Sequence, residues 1–247
     1  MLLAFLSDIH ANLEALDACL RHAAAHGAER FAFLGDLVGY GADPAAVVDI
    51  VAAYAERGAV VVKGNHEEAI EKKQQRDLAD DAHAAIEWTR SRLSSAQRSF
   101  LESLPLTASQ DSMFFVHSSA VAPERWQYIL DVTAARLSIE ASKATYVFSG
   151  HVHDQVLYFL TQTGKIALFH PISASAVPVP SHRRWQAIVG SAGQPRDRNP
   201  AAAYAIFDTA KEEMTFFRVA YDHMTAARKI REAGLPEALA QRLETGA

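Results

Sequence analysis

Val60-Val61-Val62-Lys63-Gly64-Asn65-His66-Glu67 joins an apolar run to a Gly-Asn-His end and then to a polar, helix-prone segment. A strand that stops this way puts three special residues on the loop at its carboxyl end. Gly64 lets the backbone turn tightly or approach a ligand closely. Asn65 offers a neutral carbonyl oxygen to a hard or borderline cation. His66 offers an imidazole that holds or donates a proton near neutral pH. Alone, the tripeptide reads equally well as a turn after a strand. The rest of the chain decides between the two.

Upstream, the same design occurs twice. Leu2-Leu3-Ala4-Phe5-Leu6 is a continuous apolar run, the pattern of a strand buried on both faces, and it stops at Ser7-Asp8-Ile9-His10. Asn12 is placed to cap a helix in which Leu13, Leu16 and Leu20 recur at helical spacing, with Gly27 as its stop. A second strand over residues 31–34 ends in Gly35-Asp36, and Gly39 and Gly41 loosen the loop that follows. Asp43-Pro44 starts a helix, with Asp as cap and Pro at the first helical position. It runs through Val47, Val48 and Val51 to about Gly58, and residues 59–62 form the third strand. Strand, helix, strand, helix, strand predicts two right-handed βαβ units on a parallel sheet. Ligands of such sheets gather at the carboxyl ends of the strands, where Asp8, His10, Asp36, Asn65 and His66 all fall.

Downstream, residues 67 to 103 read as helix-rich. Glu67-Glu68 and Glu71-Lys72-Lys73 are read as a solvated face, with a cover over the site mouth as the functional alternative. Ser94-Ser95 is placed to cap the helix of Phe100, Leu101 and Leu104. Residues 113–116 form a short strand ended by His117-Ser118-Ser119, and a helix follows over 130–142. Tyr146-Val147-Phe148 is a strand ended by Ser149-Gly150-His151-Val152-His153. Beyond residue 154, runs 156–160 and 166–169 read as a hairpin turning at Thr163-Gly164, and 185–189, 204–207 and 214–219 as further strands of an antiparallel or mixed sheet. The tail from Asp222 is helical, and Pro236 opens a last short helix.

Composition sets the bounds. The 247 residues, 49% hydrophobic and 21% charged, suffice for a sizeable core, and no repeat or linker divides them. A single domain over 1–247 is expected. The net charge of −5 carries no basic footprint, so stable nucleic-acid binding is not expected. Cys19 is the only cysteine, which excludes an intramolecular disulfide and a cysteine-based zinc site and fits a reducing compartment. The first apolar run is short and lacks a basic leader, so it reads as a strand and not a signal peptide. No run reaches the roughly 18 apolar residues of a membrane span. A soluble cytoplasmic protein is the expectation.

Five strand-end loops therefore carry Asp, Asn or His. Asp-x-His and His-x-His alternate along extended chain, so both side chains of a pair point the same way and one loop grips metal with two groups. Imidazole and carboxylate together suit manganese, iron, zinc or nickel. Of the eleven histidines, His10, His66, His117, His151 and His153 lie in these loops. His22, His26, His83 and His223 read as surface or packing residues, as do His170 and His182 of the Pro-rich stretch before the Gly-Ser-Ala-Gly loop.

Asp8-x-His10, Gly35-Asp36, Gly64-Asn65-His66-Glu67, a lone His117 and Gly150-His151-x-His153 resemble, in order and spacing, the motif set of the calcineurin-like metallophosphoesterases. Ser7-Asp8-Ile9-His10-Ala11-Asn12, Gly35-Asp36-Leu37-Val38-Gly39-Tyr40-Gly41 and residues 190–197 look most like that superfamily's small bacterial and archaeal phosphodiesterase-type branch. The resemblance spans about residues 2–220; the set of five is specific where each motif alone is not, and no metal-motif position departs from it.

The resemblance implies an α/β fold, a four-layer α-β-β-α sandwich of two mixed β-sheets flanked by helices. It also implies two divalent or trivalent transition-metal ions. Asp8, His10 and His153 would bind the first, Asn65, His117 and His151 the second, and Asp36 would bridge them. His66 would bind no metal and would face the substrate phosphate. Asn12 would support the site by a hydrogen bond near the bridging carboxylate or the phosphate. Cations roughly 3.5–4 Å apart would hold a bridging hydroxide for in-line attack on phosphorus. The cations and His66 would stabilise the nonbridging oxygens, and His66 would also serve as general acid to the leaving alkoxide.

Three readings follow. The first is a phosphoesterase cleaving phosphodiesters, and also monoesters, of a small or nucleotide substrate. The second is a dinucleoside polyphosphate (diadenosine tetraphosphate) hydrolase, in which Arg125, Trp126, Tyr128, Arg183, Arg184 and Arg196 would serve extra phosphates or stack a base. The third is a non-catalytic metal-bound scaffold, which the retention of every ligand position and His66 argues against. A protein phosphatase is weaker still, because the chain is short and shows no motif for a protein substrate.

Overall fold

Leu3 and Phe5 of strand β1 (Leu2–Leu6) point into one hydrophobic cluster, Ala4 and Leu6 into another. The continuous apolar run therefore does what its pattern requires, burying both faces of a central strand. Phe5 stacks on Phe148 with ring centroids 4.0 Å apart, across the interface of two sheets. Burying a side chain of that size stabilises the fold by about 1.5–3 kcal/mol.

The computed structural model describes residues 1–72 and 80–247. Helix α1 (Leu13–Ala25) is capped by Asn12, whose Oδ1 accepts from Ala15 N at 3.1 Å, and the chain turns away at Gly27 with φ +78°. Strand β2 (Arg30–Phe33) and helix α2 (Pro44–Glu56) follow. Asp43 occupies the cap position of α2 but makes no cap bond; its carboxylate takes Lys229 Nζ at 2.9 Å instead. Strand β3 (Val60–Val61) is two residues long, and helix α3 (Asn65–Glu71) begins almost at once. Asn65 and His66 thus sit in the first turn of a helix, with Gly64 as its cap, and not on a free loop.

Helices α4 (Asp80–Arg92) and α5 (Ser95–Ser103) continue the expected helical stretch; residues 73–79, including Lys73 of the charge run, lie outside the described residues. Ser94 and Gln97 form a reciprocal capping box on α5, as the Ser-Ser pair predicts. Then come β4 (Thr107–Gln110), β5 (Met113–Val116), α6 (Val132–Ser142), β6 (Tyr146–Ser149), β7 (Gln155–Leu160) and β8 (Ile166–Phe169). Last are β9 (Ala176–Pro178), β10 (Arg184–Val189), β11 (Ala202–Asp208), β12 (Glu213–Val219), α7 (His223–Glu232) and α8 (Glu237–Thr245).

The strands form two six-stranded sheets, in the orders β3-β2-β1-β11-β12-β9 and β4-β5-β6-β10-β7-β8. β1, β2 and β3 are parallel, as two βαβ units require, and β11 pairs antiparallel on the other side of β1. Both sheets are therefore mixed. The expectation of a separate second-half sheet holds only for β4–β8 and β10, because β9, β11 and β12 return to the first sheet. The edge strands β4 and β9 escape the sequence pattern: Thr107-Ala108-Ser109-Gln110 and Ala176-Val177-Pro178 pair through backbone and carry little buried apolar surface. Helices α7 and α8 bury Ala227, Ile230, Leu239 and Leu243 against Tyr40 and Ala42, which props the loop after β2 from outside. No helix among the described residues is long and apolar enough to cross a membrane.

Candidate metal centre

The loops after β1, β2, β5, β6 and β10, with the start of α3, meet at one end of the sandwich. Backbone bonds lace them together. His10 N donates to Asp36 O at 2.9 Å, Gly150 N to His117 O at 2.9 Å, and Gly193 N to Asp8 O at 2.9 Å. Asp8, His10, Asp36, His151 and His153 all adopt positive φ, from 49° to 72°. Non-glycine residues held there cost on the order of 1–3 kcal/mol each, and such strain concentrates where side chains must be aimed. Two glycines permit the convergence. A Cβ on Gly150 would lie 2.2 Å from Asp8 Oδ2, and one on Gly64 would lie 2.3 Å from Asp36 Oδ1.

Three groups of buried side chains bring ligand-type atoms within 4.8 Å of one another: Asp8-His10-His153, Asp36-His117-His151 and His10-Asp36-His66. His10 Nε2 lies 3.2 Å from His153 Nε2, and His153 Nε2 lies 3.3 Å from Asp8 Oδ1. His117 Nε2 lies 3.1 Å from His151 Nδ1, 3.2 Å from Asn65 Oδ1 and 3.3 Å from Asp36 Oδ2. Asp36 Oδ2 is also 3.8 Å from His10 Nε2 and 3.8 Å from His66 Nε2, so it stands between the clusters.

The histidine hydrogen bonds fix what these atoms can do. His10 Nδ1 faces Val38 O at 3.4 Å, His117 Nδ1 faces Leu34 O at 2.7 Å, His153 Nδ1 faces Gln194 O at 2.5 Å, and His151 Nε2 faces Trp126 O at 2.9 Å. A carbonyl only accepts, so in each ring that nitrogen carries the proton. In the neutral ring the other nitrogen is a bare lone pair aimed inward. Two such lone pairs 3.2 Å apart, as in His10 and His153, cannot bond each other; an extra proton or a cation must lie between them. Asp8 Oδ1 is likewise buried with no hydrogen-bond partner among the described residues. This donor set of carboxylate, imidazole and amide oxygen, with ring orientation fixed by backbone carbonyls, fits a transition-metal site.

The electrostatics agree. Burial opposes the charge on Asp8, yet His153 and His117 hold it below the usual carboxylate range. Asp36 is held well below its ordinary value, because His117, His66 and His10 outweigh the cost of burial. Burial lowers His10 well below 6.5 and lowers His151 to about 4, keeping both neutral. His117 goes the other way: burial resists, but Asp36 pushes it up to about 9.

Asp8, His10, Asp36, Asn65, His66, His117, His151 and His153 are thus brought together as the motifs predict. Asn12 is not part of that cluster. Its Nδ2 donates to Gly193 O at 2.8 Å and Tyr221 Oη at 3.0 Å, while its Oδ1 caps α1. Every polar atom of its side chain is engaged away from Asp36, so it ties the 190s loop to α1. Ser118 and Ser119 are buried beside His117; Ser119 Oγ accepts from Val121 N, a structural role.

Sequence reasoning missed Glu67. Read as part of a solvated face, it is fully buried and accepts four backbone N–H bonds. Burial and the Asp36 charge push it up to about 7, against the N–H donors of Gly64 and Val38. Its neighbour Glu68 is half-buried and accepts from Trp126 Nε1 at 2.9 Å. The one signal that sets it apart from the charge run is its place in the Gly64-Asn65-His66-Glu67 motif. Tyr40 was also passed over: its ring packs on His10 at 4.6 Å and His66 at 4.5 Å.

The arginines and aromatics divide. Tyr128 stacks on His151 at 4.0 Å and remains half exposed, and Trp126 supplies the carbonyl that orients His151. Arg196 is exposed, donates to Gln194 Oε1 at 3.1 Å, and is near enough for its charge to act on the hydroxyls of Tyr40 and Tyr128. Arg183 and Arg184 stand at the far end of β10, over Phe159 and on the Ala144 and Ile139 carbonyls, and do not reach the centre. Arg125 is exposed in a 3-10 turn over 123–125.

Residues 1–212 match the calcineurin-like phosphoesterase superfamily domain. A protein of Methanocaldococcus jannaschii described as uncharacterized is 31% identical over 250 aligned residues, covering 99% of this chain and 98% of that one. The crystal structure of a metallophosphoesterase from Sphaerobacter thermophilus is 35% identical, covers 100% of this chain and 99% of that one, and superposes with a TM-score of 0.88. A hypothetical protein of Pyrococcus horikoshii, 20% identical over 100% of this chain and 98% of its own, shares the fold with a TM-score of 0.80.

Proposed function

The chain belongs to the calcineurin-like phosphoesterase superfamily, and on that premise we propose that it is a single-domain, two-metal phosphoesterase that hydrolyses a small phosphodiester or nucleotide substrate in the cytoplasm. Asp8, His10 and His153 hold one cation, Asn65, His117 and His151 the other, and Asp36 is shared. Manganese, iron, zinc and nickel all suit these donors. When bound, two such ions supply an activated water for in-line attack on phosphorus and neutralise its nonbridging oxygens.

The observation that carries this reading is the orientation of four rings by four carbonyls, which leaves their remaining nitrogens converging on Asp8 and Asp36. His66 differs from those four. Its Nδ1 is buried with no hydrogen-bond partner among the described residues, close over Gly39. No carbonyl fixes its tautomer, and burial lowers it below 6.5, so the free ring is neutral with one proton that either nitrogen can carry. That favours His66 as the group that donates to the leaving oxygen. Tyr40 and His10 pack against it edge to face and hold its orientation.

Arg196, whose charge acts on Tyr40 and on the half-exposed Tyr128, favours a second reading within the same chemistry. A dinucleoside polyphosphate would offer a base to Tyr128 and an additional phosphate to Arg196. The non-catalytic scaffold loses ground because it gives His66 no task.

The test is a reconstitution screen. Protein stripped of metal and reloaded with manganese, iron, zinc or nickel is analysed for bound metal. It is then assayed on an aryl monoester, an aryl diester, cyclic nucleotides and diadenosine tetraphosphate. Two bound ions per chain and turnover of a diester are expected. Absence of bound metal under every condition would sink the two-metal reading, and full occupancy without turnover would favour the scaffold. A kcat/KM for diadenosine tetraphosphate well above that for the aryl diester would select the second reading.

A further inference from the structure

Asp36 must present its carboxylate between two metal clusters from a backbone that resists the task. Its φ is +50°, and it lies between Gly35 at +89° and Gly39 at +86°. Something must hold this segment in place. Glu67 Oε1 accepts from Leu37 N at 2.8 Å and Val38 N at 3.3 Å. Its Oε2 accepts from Asp36 N at 2.9 Å and Gly64 N at 2.8 Å. Each oxygen faces two N–H donors, so the four bonds are satisfied in full only by the ionised carboxylate, the form that prevails above about pH 7, and charge-assisted bonds of this kind are the strong ones. The two segments clamped together are those that carry Asp36 and Asn65-His66. They also touch directly, since His66 N donates to Asp36 Oδ1 at 2.9 Å.

Resting on the two-metal reading above, we propose that Glu67 is a positioning residue. It fixes the Asp36 carboxylate and the first turn of α3 before any cation arrives, and so sets the affinity of the centre for metal. It is not itself a ligand: all four bonds it makes run to backbone N–H groups, and it belongs to none of the three ligand clusters. The geometry demands a carboxylate. In Glu67→Gln, whichever way the amide turns, its NH2 meets two N–H donors with nothing to accept them. Glu67→Asp keeps both acceptors and the charge but is one methylene short, so it recovers part of the effect.

The experiment compares wild type, Glu67→Gln and Glu67→Asp in metal-free form and during manganese titration against a chelator. Loss of a group that orients ligands weakens binding by roughly 10–100-fold. That loss is expected for Glu67→Gln, with Glu67→Asp intermediate, and kcat returning towards wild type at saturating manganese. Amide exchange in the metal-free protein gives a second readout: the Asp36, Leu37 and Gly64 N–H groups are protected in wild type and exchange faster in Glu67→Gln. Manganese affinity within twofold of wild type in both variants would overturn the proposal. Should Glu67→Gln fail to fold, an unchanged affinity in Glu67→Asp alone would overturn it. Failure of wild type to bind manganese, zinc, iron or nickel rejects the two-metal reading instead. The amide-exchange comparison still decides whether Glu67 holds the loop.

Discussion

Among the described residues two pairs of histidine rings lie stacked, and only one of them belongs to a candidate metal cluster. His22 and His26 stand four residues apart on α1, with ring centroids 4.1 Å apart. His10 and His153 come from loops 143 residues apart in sequence, with ring centroids 5.0 Å apart. By spacing alone, the helical pair is the more conventional metal motif. Yet His22 Nδ1 is engaged by the Tyr204 hydroxyl at 2.7 Å and His26 Nδ1 by the His22 carbonyl at 2.8 Å, with His26 exposed and His22 half-buried. Among the described residues no carboxylate pairs with them as Asp8 and Asp36 do with His10. A histidine pair becomes a metal site when burial removes water, carbonyls fix the tautomer and a carboxylate supplies opposite charge.

That comparison breaks first at His153. Replacing it by alanine removes one of two facing lone pairs and takes away the ring nearest to the buried Asp8 Oδ1. The expected outcome is loss of one metal per chain and a fall in kcat of about 10²–10³-fold, the scale on which one electrostatic contact to the reacting centre is felt. The double substitution His22→Ala, His26→Ala should leave metal content and kcat/KM within twofold of wild type. Elemental analysis with steady-state kinetics checks both, and equal losses in the two variants would show that spacing had mattered after all.

His66 sharpens the contrast from inside the site. It is buried like His10 but lacks a carbonyl partner. His66→Ala should keep both metals and lose turnover by about 10²–10⁴-fold, the usual contribution of a positioned acid. An activated aryl diester, whose leaving group departs without protonation, should lose much less. Loss of metal on substitution would place His66 among the ligands.

How far the sequence discloses this depends on what each residue's neighbours are. The βαβ start is legible because an apolar run such as Leu2–Leu6 and a cap such as Asn12 act locally, and the structure keeps both. The motif histidines are legible because strand ends gather at one edge of a parallel sheet. Glu67 is not, since its burial depends on four N–H groups, three of them from the loop after β2. Asn12 misleads for the same reason in reverse: its amide reaches Gly193 and Tyr221, residues far along the chain. Asp43 caps α2 by position, but a lysine from α7 claims its side chain. Where a side chain has one local task, pattern reveals it; where a distant backbone group competes for it, only the folded chain does.

The finest test of the comparison is a proton. His117 is pushed up from 6.5 to about 9 because burial, which resists, is outweighed by Asp36 at 3.3 Å. Without metal it is therefore charged at pH 7, whereas His151 beside it, lowered to about 4, is neutral. A cation entering between them must displace the His117 proton, since a ligand nitrogen must be bare. Uptake at this half of the centre should release one proton, and apparent affinity should rise roughly tenfold per pH unit until about pH 9. The sign is opposite for the metal-free fold. Its His117–Asp36 pair contributes stability that is complete below pH 6.5 and lost as pH rises through about 9, so its melting temperature should fall across that window. Calorimetric titration in buffers of different ionisation enthalpy counts the proton, and melting curves from pH 6 to 10 follow the loss. Uptake without proton release would mean that His117 already faces the centre with a bare nitrogen, making it equivalent to His10 and His153 and erasing the difference between the two halves.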